Sequence, residues 1–556
     1  TYSSISQSNT NNSSYSLRGQ LSYSDVYREI HRFSVLAGAE IRGEKAEGIF
    51  EKRYGYDPVT GNSAMPVPKD PGNGEGFKYS DLVSYANAMD QLSGQEIEEN
   101  RFASFYGALD YSLFDRYVLN VSFRTDGSNN FGSDEQFNPT WSAGAVWHVS
   151  EETFMEVVRP VLSRLSLRVA TGYTGNINKT VKPNLMMKYY KNFRISDDEN
   201  YRMGYINNAP NPKLRWEKTR DVKVALDFGL WKDRINGIVE AYWRKSKDCV
   251  TSEYVPVTTG FFNQSYNTSV LQNNGVEFSL SVAVLKSKDY NLSVSANVAW
   301  NQNKLKKYNS PNTSLALDKY VGYPMGAVFS GKYEGIDPET GMYKFKLRPD
   351  AVTNKDGYLR EPNNYYYYLG TSVAPFTGGF NLNFSYKNIG LSVGGSYSVK
   401  AKMVDNIESP AGYELLSGSK LESIPTPHND LYRNHLNVKR EVRNRWTPEN
   451  RTGVKYPRLI DAYGKKLGLD LTNPTLTTIT RGALLEDISY LRINTIALSY
   501  SLPQRVLERI NFSSAALNLT LNNFFTITKY SGIDPEVPGA TYPVSRSVTI
   551  GLNVGF

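Results

Sequence analysis

Cysteine is almost absent from this 556-residue sequence, where Cys249 stands alone. A disulfide scaffold and a thiolate metal cluster are thereby excluded. The four histidines, His31, His148, His428 and His435, are scattered and show no zinc-site spacing. No apolar run approaches the roughly eighteen residues that a membrane-spanning helix needs, and mean hydropathy is −0.47. A helical membrane protein is excluded. The sequence opens on Thr1 without an apolar signal segment, so a mature or partial chain is expected. The net charge of +8 is small for this length, and Lys and Arg are dispersed, which argues against a nucleic-acid partner. The GxSxG elbow, the P-loop and the GxGxxG fingerprint are all missing. No catalytic constellation is in view, and the expectation is a protein that is not an enzyme and holds no cofactor or metal.

The sequence is rich in tyrosine (40) and glycine (43), set in a period of two. At the C-terminus Val548, Ile550, Leu552, Val554 and Phe556 alternate with Thr549, Gly551, Asn553 and Gly555. Only a strand puts two such sets on opposite faces. Val276, Phe278, Leu280, Val282 and Val284 alternate in the same way with Glu277, Ser279 and Ser281. So do Phe380, Leu382, Phe384 and Tyr386 with Asn381, Asn383 and Ser385. Helices are expected only over 151–158 and 504–511.

Roughly fifteen strands of about ten residues follow, starting near 15, 33, 101, 116, 140, 163, 219, 235, 274, 290, 377, 390, 486, 514 and 546. About nine to eleven tilted residues cross a bilayer, whereas ordinary strands average five or six. The connections read as strictly alternating between short and long. The short set is 24–32, 112–115, 150–162, 231–234, 287–289, 388–389 and 502–513, and the long set includes 43–100, 174–218, 302–376 and 401–485. Short turns at one end and long loops at the other are the mark of an all-β transmembrane antiparallel barrel. Aromatics agree: Trp141, Trp147, Trp231, Trp243 and Trp300 fall near expected strand ends, as do Tyr23, Tyr111, Tyr117, Tyr173 and Tyr500. Barrels carry aromatic girdles there, although aromatics also favour strands in general.

With the long loops outside, the last strand runs downward and leaves Phe556 at the periplasmic side. The first strand runs downward too, so the strand count is odd. Single-chain bacterial barrels carry an even number, and at least one strand is expected before Thr1. The whole of 1–556 is expected to be the C-terminal part of a barrel whose first strands lie elsewhere.

Several phrases carry a family resemblance: DRYVLNVSFRTDGSNNFG (115–132), WSAGAVWHVSEETFM (141–155), LSRLSLRVATGYTGN (162–176), NPKLRWEKT (211–219), YLRINTIALSYSLP (490–503), NNFFTITKYSGIDPEV (522–537) and YPVSRSVTIGLNVGF (542–556). In this order they resemble the barrel of SusC/RagA-like TonB-dependent outer-membrane transporters of Bacteroidetes. The resemblance implies a barrel of 22 strands, a plug and a TonB box that this chain lacks, and a SusD-like surface lipoprotein as lid. It implies TonB-energised import of a bulky polar ligand, an oligosaccharide or a peptide, with the glycan favoured. Its setting is the bacterial outer membrane and its lipid. The terminal Phe556 resembles the outer-membrane assembly signal.

Aromatic runs in the expected loops, Phe261, Phe262, Tyr365, Tyr366, Tyr367, Tyr368, Tyr413 and Trp446, suit sugar faces or peptide backbone. Packing of the loops on themselves or docking of a partner protein explains them equally well. DPxTG at 57–61 and 337–341 reads as a turn rather than a Ca²⁺ loop, and Cys249 as an inert thiol. Lumen charges Arg168, Lys223, Asp227, Glu240 and Glu277 fit a watery barrel interior, with a role toward ligand or plug as the sharper reading. A passive porin or a surface adhesin is the alternative function, and the absence of a fixed repeat period disfavours a β-helix or propeller.

Overall fold

The computed structural model of the chain describes residues 4–54, 56–62, 93–179, 181–196, 199–261, 263–308, 320–339, 341, 343–350, 365–404, 444–454, 481–538, 540 and 542–556. The strands begin with β1 (Ser4–Tyr27), β2 (His31–Tyr54), β3 (Ser93–Leu113), β4 (Tyr117–Ser128), β5 (Phe137–His148) and β6 (Leu162–Asn176). A separate hairpin follows, β7 (Met186–Ser196) with β8 (Glu199–Asn208). Next come β9 (Glu217–Leu230), β10 (Ile235–Tyr254), β11 (Asn263–Lys286) and β12 (Tyr290–Lys307). The link after β12 carries β13 (Ala327–Gly331), β14 (Tyr333–Ile336), β15 (Tyr343–Phe345) and β16 (Tyr366–Thr371). Then come β17 (Phe376–Tyr386), β18 (Ile389–Val399), β19 (Lys402–Val404), β20 (Leu485–Asp487) and β21 (Tyr490–Ser501). Helix α1 (Gln504–Arg509) precedes β22 (Ser514–Thr528) and β23 (Ser547–Gly555).

Fifteen of these form one antiparallel meander, in the order β1-β2-β3-β4-β5-β6-β9-β10-β11-β12-β17-β18-β21-β22-β23. Each expected strand is there. The remaining strands pair two by two in the links, as β7-β8, β13-β16, β14-β15 and β19-β20.

The register shows why the sequence folds this way. Residues opposite one another on adjacent strands share a face. One row runs Leu119, Ala145, Val169, Val224, Ala241, Val276, Trp300, Phe376 and Val399 across nine strands. Its counterpart runs Ser281, Ser295, Asn381, Gly394, Thr495, Asn522 and Ser547. A slip of one residue anywhere would put a polar row among apolar ones. The apolar face is exposed, with Leu119, Val169, Val276 and Leu552 uncovered by protein. A soluble sheet would bury that face; a membrane barrel turns it to lipid.

Three details differ from expectation. Strands of the large sheet run from 9 residues in β23 to 24 in β1, β2 and β11. At about 3.3 Å per residue β11 is roughly 80 Å long, far more than the bilayer requires. The surplus lies at the end away from the tight turns 28–30, 114–116, 231–234, 287–289 and 387–388. Secondly, the alternation of link lengths is not strict: 129–136 and 255–262 are short links at the long-loop end. Thirdly, 151–158 is not a helix but lies across two single turns of 3₁₀ type, Val149–Glu151 and Thr153–Met155. So short a segment before Pro160 cannot recover the cost of nucleating an α-helix.

None of these tight turns contains glycine. Arg28 and Glu29 have φ of 51° and 59°, and Phe114 and Asp115 have 54° and 55°. Two successive left-handed residues make the turn whose twist matches the flanking strands.

Candidate functional site

The polar face of β1–β11 carries a ladder of charges. Arg168 Nε lies 2.6 Å from Asp227, Arg244 2.9 Å from Asp221, Lys223 3.2 Å from Glu240 and Arg124 2.7 Å from Asp126. These pairs cross between neighbouring strands or run along one strand. Half-exposed pairs of this kind contribute about 0–1 kcal/mol each, so they fix side-chain positions more than they stabilise the sheet. Glu277 stands directly opposite Glu240 on the same face. The five lumen charges expected from sequence therefore all face one side, and four of them are paired.

At the long-loop end the strands are tied by buried polar contacts. Phe131 stacks on Trp216 with ring centres 4.6 Å apart, and both are buried with Leu214. Gly132 N donates to Leu214 O at 2.9 Å. The approach is so close that a Cβ on Gly132 would sit 1.9 Å from Pro212 O. Asn130 Nδ2 donates to Asn100 at 2.8 Å, and Lys182 Nζ reaches both Asn130 and Glu98. Asn267 Nδ2 donates to Arg215 O at 2.7 Å, and its Oδ1 accepts from Arg215 N at 3.0 Å. Thus FRTDGSNNFG (123–132) and NPKLRWEKT (211–219) are the two halves of one joint. Sequence reading treated them as separate phrases, since their meeting depends on pairing across β5 and β6.

A second joint uses Arg492, on β21, and Asp534, in the link after β22. They form a buried ion pair, and Glu536 lies 3.2 Å from the same guanidinium. Asp534 also accepts from the N–H groups of Glu536 and Val544, each at 3.0 Å. Burial pushes the Asp534 carboxyl up, but these N–H groups and Arg492 outweigh it and hold it below the ordinary value.

The aromatic loop residues separate into groups. Tyr365 and Tyr366 are buried against each other, with Phe345 packed on them. Tyr367 donates from its hydroxyl to Leu347 O at 2.9 Å. Tyr368 is exposed and lies 4.9 Å from Tyr323 and 5.7 Å from Phe329, in a cluster that Tyr320 completes. Trp446 is buried, its indole N–H donating to Pro338 O at 3.0 Å. It thereby joins the link after β18 to the link after β12. Phe261 lies apart, after β10, and half-buried. Phe262 and Tyr413 fall outside the described residues. Phe556 is exposed and meets Phe512 edge-to-face at 5.1 Å.

Of the seven tryptophans, the five expected in girdles are all exposed, and only Trp216 and Trp446 are buried. Trp147 and Trp141 are six residues apart on β5, roughly 20 Å along the strand. Both DPxTG segments are turns: Asp57 accepts from Val59 N and Thr60 Oγ1, Asp337 from Glu339 N, and Gly61 and Gly341 take φ of 71° and 69°. Cys249 sits half-buried opposite Ser269, at a bulge.

Residues 1–417 match the family model described as TonB dependent receptor-like, beta-barrel. The chain belongs to that family. TonB-dependent receptor P26 of Formosa agariphila is 25% identical over 96% of this chain and 52% of its own length. TonB-dependent receptor SusC of Bacteroides thetaiotaomicron is 26% identical over 94% of this chain and 48% of its own. The chain thus spans about half the length of these relatives. The solved structure of the RagAB peptide transporter superposes with a TM-score of 0.76 at 24% identity, covering 100% of this chain and 56% of that one. The shared fold is a TonB-dependent receptor barrel of SusC/RagA type, and the setting of this family is the outer membrane. The sheet runs on through β21, β22 and β23, past the matched residues.

Proposed function

We propose that this chain forms most of the wall of an outer-membrane importer for a bulky polar nutrient, energised through TonB. The observation that carries it is the two-faced sheet. An apolar row crosses nine strands in register, while the opposite face is polar and charged. Such a sheet separates lipid from water. Among the described residues its outer strands β1 and β23 are not paired with each other. An unpaired edge in lipid is costly, so further strands close the barrel and a plug fills it. The relatives' greater length supports the same reading, in which the chain is the C-terminal part of the receptor. Its long loops face outside and its C-terminus faces the periplasm.

A SusD-like lipoprotein docks on the long loops. A glycan oligomer is the favoured ligand, because Tyr323 and Tyr368 offer exposed rings of the kind that stack on sugars. A peptide is the second reading, following the description of RagAB as a peptide transporter. The test is uptake of labelled oligosaccharides and peptides by cells with and without the receptor, before and after the proton gradient is collapsed. Receptor-dependent uptake that stops with the gradient is the expected result. Uptake that continues would mean a passive porin, and surface binding without uptake an adhesin.

A further inference from the structure

The polar face of the sheet is divided in two. From β1 to β11 its positions include Arg18, Glu40, Arg124, Arg168, Lys223 and Glu277, paired or set among other charges. From β12 onward the character changes. The β12 positions are Ser293, Ser295, Asn297 and Ala299, and on β17 they are Thr377, Gly379, Asn381 and Asn383. Gly390, Ser392, Gly394 and Ser396 follow on β18, then Thr495, Ala497 and Ser499 on β21. Asn518, Thr520 and Asn522 lie on β22, and Thr549, Gly551 and Asn553 on β23. None of these positions is charged; the charges on the six strands, Lys304, Lys306 and Lys307 of β12 and Arg492 of β21, lie toward the long-loop end, where Asp534 pairs with Arg492. Toward the short-turn end this wall forms a groove of about 400 Å³ lined by Asn383, Ser385, Ser392, Ser499, Asn518 and Thr520. Its hydroxyls and amides bond one another, as Ser392 Oγ does to Asn383 Oδ1 at 2.8 Å.

Water inside a barrel explains polarity, but it does not explain why these six adjacent strands leave charge off this face between their tight turns and their long-loop ends, while eight of the other nine, all but β5, carry it. A carboxylate or guanidinium holds a hydroxyl about twice as strongly as a neutral group does. A row of them would trap a polyhydroxylated ligand at each step. Neutral Ser, Asn and Thr give weak, interchangeable bonds of about 1 kcal/mol net each, which a moving ligand exchanges one for the next. The geometry points to the uncharged wall, β12 to β23, as the surface along which an uncharged, hydroxyl-rich oligomer leaves the barrel. The charged wall would then be the side that holds protein. This inference rests on the importer reading and narrows its substrate to neutral glycans.

The test uses the whole receptor in its native membrane, in a Cys249→Ser background only where thiol labels are needed. The probes are labelled uncharged hexasaccharides of glucose, mannose and xylose. Asn383→Asp with Asn518→Asp adds two carboxylates of unchanged shape. Uptake should fall about fivefold, the effect of roughly one extra hydrogen bond on the barrier. Probe affinity at the cell surface should stay within about twofold. Ser142→Asp, on the same face of β5 between the charge-bearing strands β4 and β6, should leave uptake within about twofold of wild type. Ser392→Trp against Ser142→Trp repeats the comparison by bulk, should either Asp variant fail to assemble. Equal effects on both walls, or a larger effect at Ser142, overturn the path. So does a leak of large antibiotics with undiminished uptake in the wall variants, which would make this wall the seal against the plug. Failure of the unaltered receptor to import any of the hexasaccharides removes the path as well. Receptor-dependent peptide uptake in that case would leave the importer reading standing, and no uptake of either class would remove it too.

Discussion

Arg492 and Asp534, 42 residues apart in the chain, form an ion pair whose side chains are only 2% and 6% exposed. Breaking such a pair from one side leaves a buried charge without its partner, at about 3–5 kcal/mol. Arg492→Met or Asp534→Asn alone should therefore sharply reduce the heat-modifiable, assembled receptor. The double variant should lose less than the sum of the two, and a double-mutant cycle in urea measures the difference. The carboxyl's lowered value gives the interaction a pH dependence. The stability it contributes is fully present above the ordinary carboxyl value of 3.8 and is lost as pH falls through the lower folded value. Wild-type resistance to urea should hold from neutrality to about pH 5 and decline below about pH 4. Asp534→Asn should flatten that decline.

The two faces of β11 offer a direct contrast. Leu280 lies opposite Gly237 and Ala296 on the apolar face, whereas Ser281 lies opposite Asn236 and Ser295 on the polar one. An Arg on the lipid face near mid-bilayer costs about 2–4 kcal/mol. Leu280→Arg should deplete the assembled species, and Ser281→Arg should leave it near wild-type level. Similar amounts of both in the membrane would contradict the facing.

The same contrast explains what the sequence reveals and what it hides. Within the bilayer one face must be apolar and the other wet, so Val276 to Val282 alternate without exception and their strand is legible. Above the bilayer no such rule acts. Asn263 to Asn274 still extend β11, yet their side chains follow no period of two, and the strand's true length is hidden. The hairpin β7–β8 escapes notice for the same reason. The joints are hidden differently. Gly132 and Pro212 come together only after β5, β6 and β9 have paired, and no local signal in either phrase names the other. Among the loop aromatics the sequence shows composition but not direction. Tyr366 begins a strand, so the tyrosines of one tract are sent to different surroundings.

The joint at Gly132 can be tested by one methyl group. Its Cβ would lie 1.9 Å from Pro212 O and 2.1 Å from the same residue's carbonyl carbon. Backbone cannot yield as a side chain tip does, and overpacking of this kind costs about 1–3 kcal/mol. Gly132→Ala should lower the receptor's melting temperature, while Gly19→Ala, with nothing within 4 Å of its Cβ, should not. Limited proteolysis should cut first near 209–214 in the Gly132 variant.

Phe556 closes the chain just after β23, its ring against Phe512 at 5.1 Å. If it serves as the assembly signal, deleting it should reduce inserted receptor several-fold and leave the activity per inserted molecule unchanged. The edge-to-face contact alone is worth about 0.5–1.5 kcal/mol, so Phe512→Ala separates the two roles. Equal insertion of the Phe512 variant and wild type, with loss only on deletion of Phe556, is expected. Loss of insertion in both would trace the effect to packing.

The tyrosine tract gives the sharpest division between structure and recognition. Tyr365 and Tyr366 are buried, and truncating a buried aromatic costs about 3–5 kcal/mol in the unit that holds it. Here that unit is the loop around β13 and β16, outside the main sheet. Tyr366→Ala should therefore leave the barrel assembled but expose the loop to protease. Tyr368 is 41% exposed and shares its cluster with Tyr323. Tyr368→Ala should leave the loop's protease resistance intact and weaken ligand affinity or co-purification of the lipoprotein lid. A stacking ring contributes about 1 kcal/mol, so a loss of about fivefold in affinity is expected, measured on the purified complex. If Tyr368→Ala changes neither affinity nor co-purification, the exposed rings serve only to hold the loop together, and recognition lies elsewhere on the long-loop end.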